Sequence, residues 1–403
     1  MSRGGQVNGR GLEIAISGAG VAGPALAHWL LRCGHRPTLV EVAPQLRSGG
    51  YIIDFWGIGY RVAQRMGIEA ALLEAGYQVR ALHSVDRGGR IRAALDTDVL
   101  KEVMAASFTS LPRGDLARAV FDTIEGRVET LFADSITAID MYADGVQVQF
   151  ERAAARDFDL VIGADGLHSN VRRLVFGAQA QYEKYLGCRV AACVVDGYRP
   201  RDELVYVTHN VPGKQVARFA LRGDRTLFLF VFRSARGEID DDIRAHKAIL
   251  RREFGAAGWE CAHILDAVDR VDSLYFDVVS QIHMPHWSDR RTALIGDAAA
   301  CISLLGGEGT GLALTEAYVL AGELQRAQGD HARAFAAYEA RMRRFIKSKQ
   351  AGAAGFVSFF AARTRLGIWL RDLGIKAMNK RWLVKLLAGR TLRDDFELPD
   401  YDM

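Results

Sequence analysis

Hydrophobic and polar residues change rhythm several times along this chain, and each change predicts an element. Leu12 to Ser17 is a short, mostly apolar run that reads as a strand. Ala22, Ala25, Leu26, Trp29, Leu30 and Cys33 then recur at the spacing of one helical stripe. Pro24 falls in the first turn, where a missing N–H costs nothing, and Gly34 stops the helix with a residue that tolerates positive φ. Pro37 to Val40 predicts a second strand, and the apolar runs Phe158 to Gly163 and Arg291 to Ile295 predict two more. Between these last two, Arg189–Val195, Leu204–Thr208, Val216–Leu221 and Thr226–Phe232 are rich in Val, Phe and Leu, with turn residues between them. They predict an antiparallel sheet. Beyond Thr310 the pattern turns helical.

The turns after three of these strands carry the candidate chemistry. Gly18-Ala19-Gly20-Val21-Ala22-Gly23 is a G-x-G-x-x-G turn between a strand and a helix. In that setting Gly18 permits the tight turn, Gly20 lets backbone approach a pyrophosphate, and Gly23 allows close helix–strand packing, while the helix N-terminus offers N–H donors to phosphate. Glu41, at the end of the second strand, stands a little beyond the ~20-residue offset at which an acidic side chain meets a ribose hydroxyl. The second turn, Ala164-Asp165-Gly166, is followed by His168, Ser169 and Arg172. The third, Gly296-Asp297, leads through Gly306 to Gly311, a glycine-rich loop containing Gly307, Gly309 and Thr310, into a long helix.

With these three motifs in this order, the chain resembles the single-component FAD-dependent aromatic hydroxylases, the class A flavoprotein monooxygenases, and within them the branch of tetracycline-inactivating enzymes. The resemblance runs from Glu13 to about Arg344. It implies an α/β fold: a Rossmann-type FAD-binding domain with an inserted, mainly antiparallel β-sheet substrate domain and a C-terminal helical segment. The expected division is 11–75, 98–178 and 278–345 for the FAD domain, 76–97 and 179–277 for the substrate domain, and 346–403 for the helical extension. It further implies that Gly18, Gly20, Val21, Ala22, Gly23 and Glu41 hold the ADP half of FAD, and that Gly296 and Asp297 meet the ribityl or pyrophosphate portion. Gly307, Gly309 and Thr310 would run beside the flavin ring. Asp165 is similar to a residue shared between FAD and NAD(P)H binding, Arg47 to a nicotinamide-cofactor arginine, Asp54 to a flavin-proximal contact and Arg113 to an arginine that contacts FAD. Asp115 is expected to cap the helix after Arg113.

The activity implied is hydroxylation of an aromatic or polyketide-like small molecule: NAD(P)H, bound transiently, reduces FAD, oxygen adds at flavin C4a, and the resulting hydroperoxide attacks the substrate. Phe219, Phe228 and Phe230 are candidate substrate-pocket walls, although a face turned into the core explains their alternation equally well. An FAD-dependent dehydrogenase or oxidase is the competing enzyme, and a non-catalytic FAD-bound redox sensor the competing non-enzyme. The latter is suggested by Ala300 and Leu304, where many relatives carry His and Pro. No W-x-W-x-I-P segment supports a halogenase. No catalytic residue is singled out, because in such chemistry the cofactor carries the reaction.

Composition narrows the rest. At 49% hydrophobic and 25% charged, with a formal charge of +4 over 403 residues, the chain reads as globular, with no sign of a nucleic-acid partner. Five scattered cysteines without a C-x-x-C pair point to no disulfide framework or zinc site and suit a reducing cytoplasm. Cys301 reads as packing, and His283 and His286, separated by Met284 and Pro285, as a pair that binds no metal. Neither a signal peptide nor an integral membrane segment is expected. For the mixed apolar and basic tail, packing on the flavin domain is preferred to a homodimer contact or a membrane surface.

Overall fold

The computed structural model describes residues 11–46, 51–98, 108–237, 242–380 and 396–403. Its first layer is a six-stranded sheet in the order Ser288–Asp289, Thr292–Leu294, Leu160–Gly163, Glu13–Ser17, Arg36–Glu41, Glu129–Phe132. All neighbours run parallel except the first pair. Because Ser17 is in register with both Gly163 and Val40, and Gly163 with Leu294, the carboxyl ends of four strands lie side by side. Turns distant in sequence are thereby brought to one edge, which is where open α/β sheets bind their ligands.

Helix Ala22–Arg32 covers this sheet. The sequence suggests a single apolar stripe, yet every residue from Ala22 to Leu30 is buried. The second wall is helix Gly309–Arg326, which packs along it and is itself buried from Leu312 to Leu324. A helix enclosed on both sides has no solvent face to mark with polar residues. A smaller sheet of Ile136–Met141, Val146–Phe150 and Arg156–Phe158, unmarked in the sequence reading, leads into Leu160–Gly163.

The second layer is a seven-stranded sheet in the order Tyr275–Ile282, Glu183–Asp196, Arg225–Arg233, Lys214–Leu221, Val205–Val211, Ala81–Val85, Ile91–Asp96. Every pairing is antiparallel except that of Val205–Val211 with Ala81–Val85. Its outer face is closed by helices Ile243–Phe254 and Cys261–Val268, and its other face looks toward the first layer. The fold is thus the mixed α/β arrangement with an FAD-type domain and a C-terminal helical segment. Long helix His331–Phe360 and helix Arg365–Ala377 form that segment. The chain's last residues return to the first layer: Tyr401 donates its hydroxyl to Glu323 at 2.6 Å, and the Phe396 ring stacks on Phe345. Among the described residues no helix is long and apolar enough to cross a membrane.

Candidate functional site

At the glycine turn, Gly18 has φ +103°, and a Cβ there would lie 2.5 Å from the Ala164 carbonyl oxygen. A Cβ on Gly23 would lie 2.0 Å from the carbonyl oxygen of Gly18. These two positions are glycine because backbone occupies the space. At Gly20 the reason differs: an added Cβ would meet nothing nearer than Nη2 of Arg113, at 3.9 Å. The turn therefore presents bare backbone to an open cleft, with an arginine on the far side. Glu41 closes one flank, accepting the Ala19 N–H at 2.8 Å and the Ala43 N–H at 2.9 Å. Val21 precedes the helix without any side-chain cap, leaving its first N–H groups available. This is a cradle shaped for a dinucleotide pyrophosphate, and the residues fit the ADP half of FAD.

Arg113 begins helix Arg113–Asp122, so Asp115 lies within the first turn and does not cap it, contrary to expectation; Pro112 holds the cap position. The Arg113 backbone N–H donates to Tyr51 at 3.0 Å. Its guanidinium is open to solvent through the cleft and faces Tyr51, Asp297 and Tyr275. Asp297 sits at the start of the short helix Asp297–Ala300, behind Gly296 at φ +63°. Burial pushes the Asp297 carboxyl above its usual range, and Arg113 and the Cys301 thiol pull it back. Asp54 also opens onto the cleft. It accepts the Ser110 hydroxyl at 2.6 Å across the pair of strands Ile52–Trp56 and Phe108–Pro112, and burial raises its carboxyl. Gly307 takes the left-handed conformation at φ +70°, and Gly309 opens the long helix with Thr310. Gly309 approaches Asp297 closely enough that an added Cβ would lie 3.6 Å from Oδ1.

Asp165 behaves differently. Its carboxylate accepts the backbone N–H groups of Asn170 and Val171 at 2.9 and 3.0 Å and the hydroxyls of Ser17 and Ser169. Asp165 thereby ties the end of the first strand to helix Asn170–Val175. Arg47 lies outside the described residues.

The aromatic candidates divide between two faces of the seven-stranded sheet. Phe219 is on the face turned toward the first layer but is itself only 1% exposed, so it backs the cleft without lining it. It stacks on half-buried Tyr206, ring centroids 4.5 Å apart at 30°, in a cluster with Tyr77 that Tyr51 and Tyr275 adjoin. Phe228 and Phe230 point the other way. Both are fully buried beneath helices Ile243–Phe254 and Cys261–Val268, with Phe254 against Phe230 at 5.1 Å. They are withdrawn as pocket walls: strand alternation sends them to the helix-covered face, and their apolar character reflects that second core. Leu227 and Leu229 alternate with them toward the cleft.

Several residues that shape the site have no role assigned from the sequence, although Arg172 follows the second turn. Tyr51, Tyr206 and Tyr275 look like ordinary strand residues. Arg172, fully buried, donates to the carbonyls of Ala298 at 2.9 Å and Leu167 at 2.6 Å and to Gln179 Oε1 at 3.0 Å. Glu316, also buried, accepts the Gly296 N–H. It was findable in principle, as a lone carboxylate within Leu312-Ala313-Leu314-Thr315-Glu316-Ala317. Cys301 is buried, its thiol pushed well up by burial, in keeping with packing.

Comparison with known proteins bears on this geometry. The FAD binding domain family matches residues 11–349. The chain is 34% identical to a flavin-dependent monooxygenase of Legionella longbeachae, covering 98% of this chain and 99% of that one. It is 41% identical to an uncharacterised protein of Mycobacterium tuberculosis, covering 84% and 91%. Among solved structures, tetracycline destructase Tet(51) superposes with a TM-score of 0.83 at 30% identity, covering 97% of this chain and all of that one. The chain belongs to the FAD binding domain family, and it is a flavin-dependent monooxygenase of class A that uses FAD.

Proposed function

We propose that this enzyme hydroxylates an aromatic or polyketide-like small molecule, with NAD(P)H as a transient reductant and oxygen as the second substrate. The observation that carries the substrate class is the aromatic floor of the cleft. Half-buried Tyr51, Tyr206 and Tyr275, with Tyr206 backed by the buried Phe219 ring and the Tyr51 and Tyr275 rings 5.8 Å apart, offer π-faces and phenol hydroxyls on the side that Arg113 and Asp297 share. Planar rings gain stacking there beyond simple burial. Tet(51) is by its name a tetracycline destructase, which makes polycyclic polyketides the first compounds to test.

Bound FAD would accept hydride from NAD(P)H and supply the activation of oxygen. This chain's own residues bind, orient and shield. Gly20 and the helix N-terminus behind it take the pyrophosphate, Glu41 the adenosine ribose, and Arg113 with Asp297 the central part of the cofactor. Gly307 and Gly309 bring backbone alongside the ring, and the aromatic cluster keeps water from the reacting end. The glycine turn is spent on FAD, so NAD(P)H binds without a Rossmann turn of its own among the described residues.

The test is oxygen and NAD(P)H consumption by the FAD-loaded enzyme with a panel of planar polyketides, with product mass recorded under oxygen-18. Substrate-stimulated consumption with one heavy oxygen in the product supports the proposal. Substrate oxidised with an external acceptor and no label incorporated assigns a dehydrogenase instead.

A further inference from the structure

Helix Gly309–Arg326 buries a carboxylate that has no cation beside it among the described residues. Glu316 is 1% exposed, and its Oε2 accepts the Gly296 N–H at 2.8 Å and the Tyr338 hydroxyl at 2.7 Å. Tyr338, on helix His331–Phe360, also reaches the Leu294 carbonyl at 3.2 Å. Burying an uncompensated carboxyl is expensive, and an apolar residue would fill the same space at lower cost. The other carboxylate in the buried part of this helix, Glu323, has Arg341 and the Tyr401 hydroxyl. What distinguishes Glu316 is the group it holds. Gly296 sits at φ +63° and ψ −144°, a conformation that side chains rarely adopt, directly before Asp297.

We propose that Glu316 is a positioning residue for the cofactor: by accepting the Gly296 N–H it fixes the turn that aims Asp297 at FAD, and its charge, coupled to that of Asp297, makes FAD affinity depend on pH. The proposal rests on the assignment of Asp297 to the cofactor. Burial raises Glu316 to about 7, with the hydrogen bonds from Tyr338 and Gly296 opposing the rise and the charge of Asp297 adding to it. The charged and titratable groups facing it are Tyr338 from the long C-terminal helix, with Glu339 and Arg343 beyond the phenol, and Asp297 from the turn. FAD brings a pyrophosphate toward this turn. That added negative charge favours the protonated Glu316, so binding takes up a proton and affinity falls as pH rises through neutrality.

The experiment titrates the apoprotein with FAD by flavin fluorescence from about pH 6 to about pH 8.5, for the wild type and for Glu316→Gln, Glu316→Ala and Asp297→Ala. The wild-type dissociation constant should rise roughly tenfold across this range, as it would if FAD raised the proton affinity of the linked carboxyl about tenfold. Glu316→Gln keeps an acceptor for Gly296 and loses the charge, so it should bind FAD tightly with a flat pH profile. Glu316→Ala should also show a flat profile but bind roughly tenfold more weakly than Glu316→Gln at every pH, the loss of one buried hydrogen bond. A merely structural carboxyl would lower the melting temperature and leave the pH profile unchanged. If Glu316→Gln retains the wild-type slope, or a folded Glu316→Ala binds FAD as tightly as Glu316→Gln does, the proposal is overturned. Failure of the cofactor assignment is separately visible, because Asp297→Ala would then bind FAD normally; the proposal falls with it.

Discussion

Arg172 donates to the main-chain carbonyl of Ala298 at 2.9 Å, joining the turn after one parallel strand to the turn after the next. The two Gly/Asp motifs that the sequence presents as separate signals are thus one mechanical unit. With its other contacts to Leu167 and Gln179, Arg172 spans the layer beneath the cleft, and its own partners are all neutral. Removing it leaves buried carbonyls without donors.

Arg172→Ala should therefore destabilise the protein by on the order of 3 kcal/mol and loosen FAD as a consequence. Urea denaturation of the apoprotein measures the first effect and FAD content after purification the second. A stable variant with normal flavin content would show that the two turns hold themselves.

The glycines of the first turn separate folding from binding. Gly23→Ala places a methyl 2.0 Å from the Gly18 carbonyl oxygen and should cost several kcal/mol of stability, on the order of an overpacked core position. Gly20→Ala meets only Nη2 of Arg113 at 3.9 Å, so the apoprotein should melt within a few degrees of the wild type. Its FAD affinity should drop by tenfold or more, roughly 1.4 kcal/mol, because the methyl occupies the pyrophosphate's approach.

Glu41→Ala removes the acceptor of the Ala19 and Ala43 N–H groups as well as the expected ribose contact. FAD retention should fall about tenfold, equivalent to one charge-assisted hydrogen bond. Flavin absorbance relative to protein after gel filtration reads this directly, and an unchanged ratio would remove Glu41 from the site.

His168, on the loop after Asp165, contacts Asp277 of the seven-stranded sheet at 3.0 Å, and that hydrogen bond raises its pKa above the ordinary 6.5. The charged form gains from folding, so the contribution is fully present below pH 6.5 and is lost as pH rises through the folded-state value. With His168 57% exposed, it should amount to less than about 1 kcal/mol. Histidine NMR titration should place His168 above 6.5, and Asp277→Asn should bring it back. No movement on that substitution would dissolve the link between the two layers.

Phe228→Ala and Phe219→Ala should fail in different ways. The first opens a cavity under the outer helices and should cost ~3–5 kcal/mol while leaving KM for substrate unchanged in whatever protein folds. The second removes the partner of Tyr206 and should raise KM. Equal effects of both on KM would contradict the division of the sheet into a core face and a cleft face.

The sequence alone determined the local devices. Strand, G-x-G-x-x-G turn and helix in one run of residues declare a dinucleotide site, because the spacing of those glycines answers to backbone geometry within a few ångströms. The four central strands of the antiparallel sheet were equally readable from their β-branched and aromatic runs. What the tertiary structure decided was convergence and facing. Parallel register brings Gly18, Asp165 and Asp297 to one edge, although more than a hundred residues separate each from the next. Alternation by itself could not say which face of the sheet carrying Phe219, Phe228 and Phe230 looks into the cleft, since both faces are buried. That choice is made by the helices on one side, Ile243–Phe254 and Cys261–Val268, and the FAD layer on the other. Glu316 and Arg172 belong to the same class: a buried polar side chain acquires its role from partners that only the folded chain brings within hydrogen-bond reach.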